Sequence, residues 1–535
     1  MEYACWIRLN RAGYVPNRPK IAVVLADKDI TGARWRVTND ENVVLEGTLR
    51  SGLAGDNIHV AQAFSYEIDF TSLTAAGTYT FELDGAQKQT TQICPAPYAV
   101  FARQALLHLR HMRSGCDTPM TKAGHLKDDA AIMHIPDGAR ENGAWKPCPT
   151  RRTLDMRGGF YDAGDYIKFT LTIASMTWHL LRAYEENAAL FDSDLLDEAK
   201  YALDYLAKIH PDSETFVIQV GAGADHNEGW RLAADDRLDG KRPAFCALSR
   251  AHMGSASAAL ALGAVVFAKH DATASDLYAE KAVAIYKRAR MDDTLPTAFE
   301  RNETNDFYYD KTDTDNMALA AAELFRLTND VSYLNDGEAY APPPMGSVSW
   351  GVLNGNANFR LAQAGDKAAT ARFLEEATQY KWDNPWTLPG GKYGWGSLPV
   401  WMGIAINHEL ARRYFNVDTG GAVSVPLLGV LDYTFGRNNW GIGMVASDEM
   451  PHTIRNVYNA ITNVLGKLSV GAMSEGPGNR KRHDMYTQYF RTPADNPFDR
   501  FNTNEMVFYD DSYDFMIAES TIWGQGNLIL MLALA

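Results

Sequence analysis

The hydrophobic period of this sequence changes once, and the change falls at Cys94-Pro95-Ala96-Pro97. Before it, short runs such as 21–26 and 78–83 carry β-branched and aromatic residues, separated by turn residues such as Asn39, Asp40 and Gly85. Regular short strands of this kind predict a β-sandwich over residues 1–95. After the prolines the spacing is helical. Phe101, Ala105, Leu106, Leu109 and Met112 share one face, and Leu195, Leu196, Ala199, Leu203 and Leu206 repeat the pattern. Further helices are predicted over 170–186, 249–270, 274–288, 315–328 and 398–414, with no strand runs of comparable strength. Residues 96–535 thus form a second, mainly α domain, and successive helices without a fixed repeat point to a closed helical barrel rather than a bundle or a solenoid.

Composition narrows the partners. A formal net charge of −15 disfavours nucleic acid, whose binding is driven by Lys and Arg displacing counterions. No apolar run is long enough to span a membrane. The odd number of cysteines, Cys5, Cys94, Cys116, Cys148 and Cys246, is scattered along the chain and is not a disulfide framework, so reduced thiols are expected. The first residues lack the basic start and apolar stretch of a signal peptide. That implies a cytoplasmic protein if the start is native, or a secreted or periplasmic one if it was trimmed.

Two segments concentrate carboxylates among aromatic residues. The first is Gly158-Gly159-Phe160-Tyr161-Asp162-Ala163-Gly164-Asp165-Tyr166-Ile167-Lys168-Phe169, where glycines allow a sharp turn and close approach to a ligand. An isolated Asp165 reads as a helix cap. Beside Asp162, Tyr161 and Tyr166 it reads as one of two acids that hold and deprotonate a water next to rings that stack on sugar faces, as glycoside hydrolysis requires. The second segment runs from Phe508 to Trp523 and contains Asp510, Phe515 and Glu519. Glu519 reads either as an acid at a helix N-terminus or, among Met516, Ile517, Ile522 and Trp523, as a carboxyl kept protonated by apolar surroundings.

These segments resemble glycoside hydrolase family 9, inverting cellulase-type enzymes with an immunoglobulin-like domain ahead of an (α/α)6 barrel. Arg8-Leu9-Asn10-Arg11-Ala12-Gly13-Tyr14-Val15-Pro16 is similar to the start of the family's sandwich, and Arg113-Ser114-Gly115 to the end of its first barrel helix. The resemblance implies Asp165 as general base, Asp162 as a holder of the water and Glu519 as general acid. Glu505, in Thr503-Asn504-Glu505, imitates the acid's motif, but the residues after it do not fit. Tyr161, His226, Trp230, Trp395, His452 and Phe515 are the implied sugar contacts. They draw on Asp225-His226 with Trp230, on Tyr393-Gly394-Trp395-Gly396-Ser397, and on Pro451-His452-Thr453-Ile454-Arg455, where His and Arg stand one residue further apart than in the family. Gly471-Ala472-Met473-Ser474-Glu475-Gly476-Pro477 is a further, weaker match.

Departures from the family bear on metals and substrate. Lys311-Thr312-Asp313-Thr314-Asp315-Asn316 keeps one of two carboxylates of a calcium run, and hard cations want several oxygens, so calcium stays possible here but is disfavoured. Cys116 and His125 match two ligands of a zinc site, but Gly124 and Tyr161 stand where a Cys and a His are needed, and Cys148 and His134 replace them only by rearrangement. No cofactor is expected to be required. The expected partner is a β-linked oligosaccharide or polysaccharide, and the expected activity is inverting cleavage of β-1,4-glucosidic bonds. The alternatives are an exo-β-glucosaminidase acting on chitosan oligosaccharides, which calls for an extra acid to meet the substrate ammonium, and a non-catalytic carbohydrate-binding protein.

Overall fold

The computed structural model describes residues 4–137, 145–291, 295, 307–346, 348–390, 394–417, 423–491 and 496–535. Eight strands come first: β1 (Cys5–Arg8), β2 (Ile21–Ala26), β3 (Arg34–Asn39), β4 (Asn42–Thr48), β5 (Leu53–Ala54), β6 (Phe64–Asp69), β7 (Gly77–Leu83) and β8 (Gln89–Ile93). They form two antiparallel four-stranded sheets, ordered β1-β2-β6-β5 and β4-β3-β7-β8. In β7 the alternation is plain in burial: Tyr79, Phe81 and Leu83 face inward while Thr78, Thr80 and Glu82 do not. Those rings meet Val24, Tyr66, Ile68 and Phe70 from the other sheet in the sandwich core.

Twelve helices of ten or more residues follow among the described residues. They are α1 (Ala99–His111), α2 (Thr170–Asn187), α3 (Asp194–Leu206), α4 (Arg250–Phe267), α5 (Ala272–Arg290), α6 (Thr314–Thr328), α7 (Val331–Tyr340), α8 (Asn354–Gln363), α9 (Lys367–Thr378), α10 (Ser397–Phe415), α11 (Val425–Thr434) and α12 (Ile522–Leu534). Every second helix belongs to an inner ring: α2 packs on α4, α4 on α6, α6 on α8, and α10 on α12, which closes the circle against α2. Sequence explains the two rings. Inner helices such as α4 and α12 are apolar or small on all sides and are buried all round. The outer α5 buries one stripe, Ala274, Tyr278, Ala282, Ile285 and Ala289. This is an (α/α)6 barrel, and no helix among the described residues is long and apolar enough to cross a membrane.

The structure corrects one expectation. The barrel domain holds strands as well: β9 (Ala131–Pro136), β10 (Trp145–Pro147), β11 (Thr153–Leu154), β12 (Lys168–Phe169), β13 (Val217–Val220) and β14 (Pro243–Cys246) form a small mixed sheet. These pieces are only two to six residues long and lack a sustained alternation, so no sequence period announces them. The sheet pairs Lys168 and Phe169 with Val220 and Gln219, which anchors the acidic loop beside the segment that follows β13. All five cysteines are free thiols, as expected.

The sandwich is fastened to the barrel by buried polar contacts. Asn10 donates to both Tyr98 Oη (2.9 Å) and Asp432 Oδ1 (2.8 Å), and Trp386 and Asn439 donate to the carbonyl of His59. At the C-terminal ends of the inner helices, charged groups link neighbouring turns. Glu323 of α6, fully buried, accepts from Trp178 Nε1 (2.9 Å), Arg326 (2.6 Å) and Arg360 (2.7 Å), and Arg360 also reaches Glu185 (2.6 Å). Removing one partner of such a group strands buried cations. Glu323→Ala is therefore expected to cost about 3 to 5 kcal/mol, read as a lower midpoint of thermal unfolding by calorimetry.

Candidate active site

The loop carrying Asp162 and Asp165 is pinned from both sides. Ser114 N–H donates to the carbonyl of Gly159 (2.9 Å) and Tyr161 N–H to that of Met112 (2.8 Å). Gly159 sits at φ +73°, and a Cβ there would lie 2.8 Å from the Tyr205 ring. Gly164 lies against Tyr458, where a Cβ would come within 2.5 Å of the ring. The missing side chain lets the Gly164 N–H donate to Glu519 Oε1 at 3.0 Å, joining the two acidic segments. The adjacent Asp165 accepts from the N–H of Ile167 (2.9 Å) on one oxygen and meets His226 Nδ1 (2.6 Å) on the other. It caps no helix, since α2 starts at Thr170 with Phe169 at the cap position.

Glu519 lies in an extended segment flanked by two others. Tyr458 N–H donates to the carbonyl of Ala518 (2.9 Å), and Glu475 N–H to that of Glu519 (3.0 Å). The cap of α12 is Thr521, whose Oγ1 accepts from Gly524 N–H, so Glu519 stands outside the first turn. Enclosure holds its carboxyl well above the usual range. Asp165, Glu475 and Asp162 add to the effect and the Gly164 N–H opposes it. Burial pushes Asp162 up to about 7, against hydrogen bonds from Thr172 and Tyr308 and with repulsion from Asp165 adding. Asp162 Oδ1 has no hydrogen-bond partner, while Oδ2 accepts from Tyr308 Oη. Glu505, by contrast, is exposed, and its carboxylate accepts from Asn479 Nδ2 at 3.4 Å.

Asp165 and Glu519 line one cleft of about 340 Å³. Its walls include His226, Trp230, Arg231, Tyr458 and Phe515. Trp230 meets Tyr458 edge-on at 4.5 Å between ring centres. Trp395 stacks on Phe515 at 5.5 Å and is 37% exposed, with the Arg482 guanidinium 5.7 Å from its ring. Four of the implied sugar contacts, His226, Trp230, Phe515 and Trp395, are therefore in or beside the cleft. Tyr393 lies outside the described residues.

Two implied contacts are placed elsewhere. Tyr161 is buried behind the loop, its hydroxyl on His125 Nδ1 (2.7 Å) and its ring edge-on to Tyr166 (4.7 Å), which stands between it and the cleft. His452 lines a different pocket, about 150 Å³ between barrel and sandwich, together with Trp6, Arg11 and Trp440. Its partner in the motif, Arg455, is exposed and pairs with Asp448 at 3.0 Å, while Asp510 accepts the backbone N–H groups of Arg455 and Asn456. Neither His452 nor Arg455 lines the cleft, although Tyr458, three residues on, does.

The residues do not fit the metals of the resemblance. Among the described residues the cluster with metal-ligand geometry is His125, Asp225 and Asp236, and guanidinium groups already satisfy both acids. Arg242 meets Asp225 at 2.5 Å and Arg231 meets Asp236 at 2.7 Å, leaving no anionic ligand free for zinc. In the calcium-like run, Asp313 pairs with Arg250 (3.1 Å), and Asp315 accepts from Leu353 N–H (2.7 Å) and Thr312 Oγ1 (3.1 Å).

Comparison with known proteins agrees with this architecture. The model of glycosyl hydrolase family 9 matches residues 98–532. The chain belongs to that family. A cellulase N-terminal ig-like domain matches residues 2–88. Endoglucanase C of Cellulomonas fimi is 26% identical over 494 residues, covering 81% of this chain and 43% of that protein. Endoglucanase 14 of Arabidopsis thaliana is 31% identical over 231 residues, covering 40% of this chain and 44% of that protein. The chain thus spans less than half the length of each of these relatives. The fold matches the crystal structure of a metagenome-derived glycoside hydrolase family 9 endoglucanase with a TM-score of 0.79 at 22% identity, over 99% of this chain and 98% of that one. It also matches the structure of AaCel9A in complex with cellobiose-like isofagomine, with a TM-score of 0.79 at 18% identity over 98% and 99% of the two chains.

Within this family 9 site, the sequence marks no role for Tyr458, Tyr308 or Arg231 and marks Glu475 only inside the weaker match over 471–477. Tyr458 follows the His452 segment, and no motif marks it. Arg231 adjoins Trp230 and was legible only as a charge. The pair formed by His226 and Asp165 has a direct signature. Its hydrogen bond to Asp165 raises the imidazole's pKa, burial opposes this, and the carboxylate's charge adds. In an NMR titration His226 is expected to take up its proton above the ordinary histidine range. In Asp165→Asn, with burial left and the charge gone, the midpoint is expected to fall below that range.

Proposed function

We propose that the chain is an endoglucanase-type, inverting glycoside hydrolase that cleaves β-1,4-glucosidic bonds of cellulose, other β-glucans or cello-oligosaccharides. The observation that carries this reading is the Gly164 N–H to Glu519 hydrogen bond, which sets a protonated acid beside Asp165 in one aromatic-walled cleft. The family and the endoglucanase names of the relatives support it. Asp165, steadied by His226, takes a proton from a water that attacks the anomeric carbon. Glu519, on the opposite face of the sugar, gives its proton to the departing glycosidic oxygen. Asp162, fixed through Oδ2 by Tyr308, is the second carboxyl that holds the water, and no cofactor enters these steps.

The sugar is read from charge. The carboxylates lining the cleft are Asp165, Asp225 and Glu519, and Asp225 is held by Arg242. Among the described residues, no further acid of the lining is left to meet a substrate ammonium, which favours neutral glucan over glucosamine oligomers. Intact acid and base groups favour catalysis over mere binding.

Cello-oligosaccharide cleavage followed by proton NMR is expected to release the α-anomer first, and initial release of the β-anomer would overturn the assignment. Asp165→Asn and Glu519→Gln are each expected to lower kcat by about 10²-fold or more while leaving the circular dichroism spectrum unchanged. Full activity in either variant removes that residue from the reaction.

A further inference from the structure

A third carboxyl touches the machinery just described. Glu475 is 3% exposed, and its N–H donates to the carbonyl of Glu519 at 3.0 Å. Its own carbonyl accepts from Leu398 N–H (3.0 Å), and its Oε1 accepts from Thr521 Oγ1 (2.7 Å). Gly396, at φ +67°, is shaped around it: a Cβ there would lie 2.3 Å from Glu475 Oε2. The groups facing Glu519 are Asp162 and Asp165 from the loop, Glu475 from its own turn, and the phenols of Tyr308 and Tyr458. Among the described residues, no Lys, Arg or His forms an ion pair with Glu475, Glu519 or Asp162. The cation that this group of acids does have, His226, is spent on Asp165.

We propose that Glu475 is a positioning residue for the general acid: it fixes the backbone of Glu519 and, through charge repulsion between two enclosed carboxyls, keeps the proton on Glu519. The inference rests on the reading of Glu519 as the acid. Two like-charged carboxyls close together in an apolar setting do not both ionise readily, so the proton stays with the pair to higher pH. Burial pushes Glu475 itself up to about 7, with the Thr521 hydroxyl opposing and Asp162 adding. Removing the negative charge at 475 lets Glu519 lose its proton at lower pH. The limb of kcat/KM that falls as pH rises then moves downward.

The test is the pH profile of kcat/KM on cellotetraose for the wild type, Glu475→Gln and Glu475→Asp. The glutamine keeps an acceptor for Thr521, and its alkaline limb is expected to fall by about one pH unit. The aspartate, which restores the charge, is expected to return the limb towards wild type. If the glutamine variant does not fold by calorimetry, Glu475→Ser provides the same loss of charge in a smaller side chain. An unmoved alkaline limb in a folded, uncharged variant overturns the inference while Glu519→Gln stays inactive. Full activity of Glu519→Gln instead brings down the underlying assignment of the acid.

Discussion

Closure of the inner ring is the contact on which the site depends. Helix α12 lies so near α2 that a Cβ on Gly526 would come within 3.2 Å of the Met176 Cα. Both helices are buried over nearly all their inward turns, so their approach is set by packing of small and apolar groups. The loop ahead of α2 carries Asp165 and the segment ahead of α12 carries Glu519. Bringing the two helix starts together brings base and acid into one cleft, and the Gly164 N–H locks them across 355 residues of sequence. The small β9 to β14 sheet then holds the outer side of the acidic loop, and the sandwich buttresses the barrel through Asn10 and the His59 carbonyl.

The cost of this arrangement is electrostatic. Asp162 and Glu475, both raised to about 7, bind protons more tightly folded than unfolded. For such groups the stabilising form is the protonated one, so their contribution is present at acid pH and is lost as pH rises from the ordinary carboxylate range through about 7. The site is thus held against its own charge by packing elsewhere. Strain of this kind gathers where a carboxyl has to remain a proton donor near neutrality.

What the sequence made legible follows from which signals are local. Helical period and the proline pair are local, and the helices predicted at 170–186 and 398–414 stand within a residue of α2 and α10. The glycine-rich loop is local too, since its turn requires Gly159 and Gly164 whatever packs against it, and Asp165 and Glu519 both line the cleft. Which way a side chain leaves a loop is not local. Tyr161 and Tyr166 are five residues apart in one aromatic stretch and both pack on His125, yet only Tyr166 also lines the cleft. His452 lies in the pocket against Trp6 and Arg11 rather than in the cleft, a placement its motif does not announce. Tyr308, Tyr458 and Glu475 act through contacts with distant segments, and nothing near them in sequence announces those neighbours.

The order of inner and outer helices also gives the barrel a direction. Asp165, Tyr308, Trp395 and Glu519 stand shortly before α2, α6, α10 and α12, so these four inner helices begin at the site. Each helix start carries a partial positive charge of about half an elementary unit from its unpaired N–H groups. The guanidinium groups of Arg182, Arg326, Arg360 and Arg413 gather instead at the far ends, among Glu185, Glu186, Glu323 and Glu409. The side-chain cations at the site end are held in pairs, His226 on Asp165 and Arg231 on Asp236, so the helix starts add diffuse positive potential where the acids crowd.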